Sequence, residues 1–151
     1  MRTQLSHIGE DGSARMVDVS AKPVMAREAT AAGHISLRAE TLALIAANKI
    51  AKGNVFATAR IAAVQAAKQT SHLIPLCHGL NLSHVDVEIT ATDDGVEVEC
   101  TARTAAQTGV EMEALTGVSL GLLTIYDMCK AVDKEMRISD VRLLRKTKRE
   151  L

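Results

Sequence analysis

Apolar and polar residues alternate most cleanly in "HVDVEITA" and "VEVECTAR", where Val85, Val87 and Ile89, then Val96, Val98 and Cys100, fall on one face. A period of two belongs to a strand buried on one side only. The intervening "DDG" supplies turn residues, so the pair predicts a β-hairpin with an acidic outer face. Weaker signals precede it. "MVDVS" alternates like a short strand, and Ile35 and Leu37 in "GHISLRA" share one face of an extended segment. "RISDVRLL" reads as a last strand.

Elsewhere the apolar residues recur at helical steps. Leu42, Ile45 and Ala46 predict a helix over about Ala39 to Asn48, Gly53 breaks it, and Asn54 caps a second helix reaching about Gln69. Its stripe of Val55, Ala59, Ala62, Ala63 and Ala66 is small, so another backbone can pack close. Pro75 stops any continuation and leaves Cys77 and His78 in a loop or extended segment. From about Ala114 to Val132, Leu115, Val118, Leu122, Ile125, Cys129 and Val132 form one stripe, while Leu120 and Leu123 make the far side apolar as well. Such a helix is buried on both sides, and in a chain of 151 residues the second cover is expected from another subunit.

The order strand, helix pair, strand, strand, helix, strand is the split βαβ, ferredoxin-like α+β arrangement (βαββαβ) with one extra helix, its antiparallel sheet covered by helices. Residues 1–15 are expected as a flexible arm, 16–145 as a single domain and 146–151 as a basic tail that frays.

Composition narrows the function. Apolar residues make up 47% and charged residues 24%, which is globular. One Phe, one Tyr and no Trp leave nothing on which to stack single-stranded bases, and 18 basic against 18 acidic side chains give no global field for nucleic acid or a membrane surface. Three widely spaced cysteines encode neither a disulfide framework nor a zinc site. Without a signal peptide or a membrane-length apolar run, a cytoplasmic protein is expected.

Candidate chemistry is scattered. Adjacent Cys77 and His78 diverge in an extended segment, which disfavours a shared metal, and no base or cation in sequence activates the thiol; a buried cysteine beside a hydrogen-bonded histidine explains them equally. Asp127 and Lys130, three apart, can pair on a helix, and a surface pair of that kind is worth only about 0.5 kcal/mol. Their aliphatic face changes that reading, because charges kept there tend to serve proton transfer or anion binding. Glu111 and Glu113 point the same way only if their segment is extended. Lys52 in "AKGN" lies at a helix start, where a cation and free backbone N–H groups suit a phosphate, although on its own a solvated loop lysine fits better and neither a P-loop nor GxGxxG occurs.

Taken together, "MVDVSAKP", "KGNVFATARIAAVQAAKQTSHLIPLCHGL" and "TGVEMEALTGVSLGLLTIYDMCKAVDKEMRISDVRLL" closely resemble the molybdenum cofactor biosynthesis protein C (MoaC) family over about Met16 to Leu144. The resemblance implies a pyrophosphate-releasing lyase, a cyclic pyranopterin monophosphate synthase. Its substrate would be 3',8-cyclo-7,8-dihydro-GTP, supplied by a radical SAM partner. It also implies a ferredoxin-like fold, no redox cofactor, and a hexamer of three dimers with active sites at subunit interfaces; whether Mg²⁺ accompanies the triphosphate stays open. By motif, Asp127 and Lys130 of "YDMCK" and Lys52 of "AKG" fall on catalytic positions. Leu76, Cys77 and His78 of "PLCH" and Met112 with Glu113 of "VEMEA" fall on substrate-binding positions, with Glu111 close by, so that Cys77 and His78 become the wall of a substrate pocket rather than a metal site. Asn54, Gly79 and Gln107 stand where the family often has aspartate, proline and lysine, and Gln107 removes a cation near the pocket mouth. The rival expectation is a catalytically silent nucleotide-binding or assembly module of the same fold.

Overall fold

The computed structural model describes Ile8, Gly9 and residues 11–151. Strands β1 (Met25–Ser36), β2 (Leu82–Thr92), β3 (Gly95–Ala106) and β4 (Arg137–Arg149) form one antiparallel sheet in the order β2-β3-β1-β4. Helices α1 (Ala39–Ala46), α2 (Val55–Lys68), the short α3 (Thr70–Leu73) and α4 (Glu111–Cys129) complete the ferredoxin-like α+β fold. The expected hairpin is present. Val87 pairs with Cys100 and Ile89 with Val98, which turns their side chains toward the core, while Glu88 pairs with Glu99 on the open face.

The first strand differs from the sequence reading. "MVDVS" is not a strand; the extended signal at Ile35 in "GHISLRA" marks the end of an inner strand, β1, whose "MAREATAAGHIS" is alanine-rich and otherwise carries almost no β-branched signal. Its small residues suit the place it occupies between β3 and β4, under α4. Ala29, Ala31 and Ile35 there are fully buried.

Helix α4 begins at Glu111, earlier than the stripe implied, and ends at Cys129. Leu122, Ile125 and Val118 are fully buried against the sheet. The small stripe of α2 covers a second flank, so close that a Cβ added to Gly117 would lie 2.7 Å from Cys100 Sγ and 3.2 Å from the Ala63 carbonyl oxygen. The second cover of α4 therefore comes in part from within the chain. Leu123, at 51% exposed, and Val141 and Leu144 of β4, at 39% and 46%, stay open.

One terminal expectation changes. Residues 146–149 do not fray: they belong to β4, with Lys148 paired to Arg27 and Arg149 to Ala26. Its last residues are exposed on an edge strand and need no hydrophobic period, which hid this extension of the "RISDVRLL" strand. In the N-terminal arm, residues 1–7 and 10 lie outside the described residues, and the remainder includes a tight turn in which Ile8 bridges Ala14 and Gly9 N–H donates to the Ser13 carbonyl at 2.8 Å. Among the described residues no helix is long and apolar enough to cross a membrane.

Candidate active site

The nine residues expected at the site gather in two places. The first is the C-terminal end of α4. The chain leaves α1 through Asn48 at φ 53 and Gly53 at φ 108, a left-handed geometry glycine adopts freely, and Asn54 Oδ1 caps α2 by accepting the Ala57 N–H at 2.9 Å. Buried Ile50 pins this connection. Lys52 is thereby delivered to Asp127, donating from Nζ to Oδ2 at 2.6 Å and to the main-chain carbonyl of Asp127 at 3.0 Å. Lys130, one turn on, donates to Oδ1 at 2.8 Å. Each carboxylate oxygen thus serves one ammonium group.

The electrostatics follow from those bonds. The Lys130 hydrogen bond, then that of Lys52, holds the Asp127 carboxyl at about 2, and the same contact raises Lys130 above its ordinary value. The side chains of Lys52, Asp127 and Lys130 are 47%, 54% and 56% exposed. Pairs as exposed as these contribute little to stability. Stability alone does not account for two lysines focused on one carboxylate with a net positive charge.

The second place is a cavity of about 300 Å³ at the N-terminal end of α4, lined by Leu76, Cys77, His78, Glu111, Met112 and Glu113 among others. Because α4 has already begun, the two glutamates diverge. Glu111 turns outward to meet Lys146 at 3.1 Å, and Glu113 turns inward and is 4% exposed. Burial, and then Glu111, pushes the Glu113 carboxyl up despite its own backbone N–H. Burial likewise raises the Cys77 thiol, with Glu113 adding to it, which is the opposite of an activated nucleophile. His78 donates from Nε2 to the Val17 carbonyl at 2.7 Å, and among the described residues its Nδ1 has no hydrogen-bond partner. Among the described residues no three His, Cys, Asp or Glu side chains converge as metal ligands.

One wall of this cavity was missed from sequence. Asp18 Oδ1 accepts from the Ser20 N–H at 2.9 Å and from its hydroxyl, folding "MVDVSAK" into turns that bring Val17, Val19 and Lys22 to the cavity. The Asp-x-Ser spacing was the available signal. A neighbouring hollow of about 280 Å³ shares Gly109 and Glu111 and adds Arg27 of β1 with Lys146 and Lys148, which β4 contributes only because it does not fray. Gln107 supports it through its backbone, whose carbonyl accepts from the Arg27 guanidinium at 3.0 Å. A hollow of about 570 Å³ on the open sheet face, beside Glu28, Arg103 and Arg149, contains none of the nine residues.

The two places do not meet within one chain. Met112 and Asp127 are both on α4, and at 1.5 Å rise per residue they lie roughly 22 Å apart along its axis.

Residues 16–149 match the model of the MoaC family. The chain is 56% identical over 145 residues to the cyclic pyranopterin monophosphate synthase of Chloroflexus aurantiacus, covering 95% of this chain and 89% of that one. It is 54% identical over 147 residues to the protein of the same name from Roseiflexus sp. strain RS-1, covering 96% and 93%. It is also 55% identical over 144 residues to the molybdenum cofactor biosynthesis bifunctional protein of Chlorobaculum tepidum, covering 95% of this chain and 46% of that longer one.

Proposed function

The chain belongs to the MoaC family, and from that premise we propose that it is a cyclic pyranopterin monophosphate synthase of molybdenum cofactor biosynthesis. The observation that carries this reading is the convergence of Lys52 and Lys130 on Asp127, the three positions to which the resemblance assigns catalysis. The substrate we infer is 3',8-cyclo-7,8-dihydro-GTP from a radical SAM enzyme, and the reaction is of the lyase type. A ribose hydroxyl oxygen bonds to the α-phosphorus, its proton passes to a base, the bond to the β-phosphate breaks and pyrophosphate leaves. Alongside this, the purine is rebuilt as a pterin.

Charge divides the roles. Asp127 stays ionised and Lys130 protonated at neutral pH, so both act as fixed charges, and the ammonium groups of Lys52 and Lys130 suit the charge that develops on departing pyrophosphate. Proton transfers during ring opening and closure fall better to Glu113, raised by burial, and to His78 through Nδ1. Leu76, Cys77, Met112 and Glu111 wall the substrate.

A second copy of the chain joins the two places. A cavity of about 300 Å³ is at the lower end of the range for ligand pockets. We place the Asp127 cluster of one chain against the cavity of another, with exposed Leu123, Val141 and Leu144 as apolar surface for the partner to cover. The assembly proposed is a hexamer of three dimers, cytoplasmic, without a resident cofactor.

Purified protein given the cyclised dihydro-GTP intermediate anaerobically should release pyrophosphate in step with pterin formation, and Lys52→Ala and Asp127→Ala should abolish both. Turnover that survives EDTA supports the absence of a resident metal. Binding of the intermediate without pyrophosphate release would instead establish the silent module.

A further inference from the structure

Three residues past Lys130 the chain buries a carboxylate that none of the roles above uses. Asp133 is 1% exposed. Its Oδ2 accepts the Arg38 backbone N–H at 2.9 Å and the Thr41 hydroxyl at 2.9 Å; its Oδ1 accepts the Glu135 N–H at 3.1 Å and lies 3.6 Å from Arg38 Nε. The Arg38 guanidinium donates in return to the Val132 carbonyl. Arg38 is the N-cap of α1 and makes no side-chain cap bond of its own, so the cap is supplied from the far end of the chain. The N–H groups of Val132 and Asp133 both return to the Cys129 carbonyl at 3.0 Å, which fixes the carboxylate to the last turn of α4.

A buried charge of this kind stabilises a fold no better than a well-packed apolar side chain would, but a fully bonded one holds its neighbours in a single arrangement. The two pieces it grips are the two that carry the Asp127 cluster. α1 leads directly into the connection bearing Lys52, and Cys129 and Val132 flank Lys130. We infer that Asp133 is a positioning residue for Lys52, Asp127 and Lys130, locking the start of α1 to the end of α4 so that both ammonium groups meet one carboxylate. The inference rests on the synthase reading for its kinetic consequence and on geometry alone for its structural one.

Asp133→Asn preserves shape while removing the charge and one acceptor, and two readouts test it in the full-length protein. In ¹³C-carboxyl NMR titration, Asp127 should move from about 2 back toward its ordinary 3.8. This shift should shrink in a Lys52→Ala background. In the synthase assay, kcat should fall roughly ten- to a hundredfold with little change in KM, as expected when reacting groups are misplaced by about 1 Å. A destabilised control, Gly117→Ala, should leave the Asp127 titration in place. If Asp133→Asn does not fold, Thr41→Val removes one donor to the same oxygen and should show the same pattern at smaller amplitude. An unmoved Asp127 titration in the folded variant, or a shift equally large in the control, overturns the positioning role. Absent turnover in the unmodified protein would sink the synthase reading, while the titration still decides the role of Asp133.

Discussion

Lys52 reaches across 75 positions of sequence to hold Asp127 twice, through its carboxylate at 2.6 Å and its main-chain carbonyl at 3.0 Å. Together with Lys130 it depresses the Asp127 carboxyl from 3.8 to about 2. A depressed folded-state value means that the charged pairing contributes in full above 3.8 and is lost as pH falls through 2. Melting curves of the wild type and Asp127→Asn should keep a constant gap from neutral pH down to that window and converge inside it. A gap that persists unchanged to pH 2 would remove the pairing as its cause.

Glu113 carries the opposite sign. Burial raises its carboxyl, so between its ordinary 4.5 and its folded value the folded protein binds more protons than the unfolded chain, and stability drops as pH rises through that window. Glu113→Gln should flatten this slope and melt higher than wild type at neutral pH while losing turnover. Equal slopes in the two proteins would show that the Glu113 carboxyl titrates like a solvated one.

Cys77 is partly exposed beside a cavity, yet burial and the Glu113 charge both hold its thiol above the ordinary range. Alkylation by iodoacetamide at neutral pH should be slower than for a free thiol, and Glu113→Gln should accelerate it. Rapid labelling of the wild type would revive Cys77 as a candidate nucleophile.

Gly117 of α4 sits against both Cys100 of β3 and Ala63 of α2. Alanine ordinarily gains about 1 kcal/mol over glycine inside a helix. Here its methyl group would meet Cys100 Sγ at 2.7 Å, and overpacking should cost about 1–3 kcal/mol instead. Urea unfolding of Gly117→Ala, with its midpoint below that of the wild type, is the expected result.

Legibility in the sequence followed the physics of each element. The β2–β3 hairpin was readable because one of its faces is apolar and the other is acidic, so Val85 through Cys100 mark the period. β1 was readable only at its end, through Ile35, because an inner strand pressed under a helix needs small residues more than β-branched ones, and alanine does not announce a strand. The end of β4 looked like a tail because its side chains all face water. At the site, spacing on an aliphatic helix face points to Asp127 and Lys130, Lys52 stands out only through the family resemblance, and their convergence depends on the turn at Asn48 and Gly53 and on packing that no local pattern encodes. The wall formed by Val17 and Val19 lies in "MVDVS", which alternates like a strand and is none, and Asp133 is one more charge in "AVDK".

The length of α4 has a genetic consequence. A continuous helix does not fold back to bring Met112 near Asp127, so a chain damaged at one end of it keeps the other end whole. Under the paired-site reading, coexpressing Lys52→Ala with Glu113→Gln should restore what neither variant does alone. Random pairing about a two-fold axis makes half of the dimers mixed, each with one intact site of two, so about a quarter of wild-type activity should return. Two loss-of-function alleles in one cell would then complement each other, and the recovered fraction would count the chains that build each site.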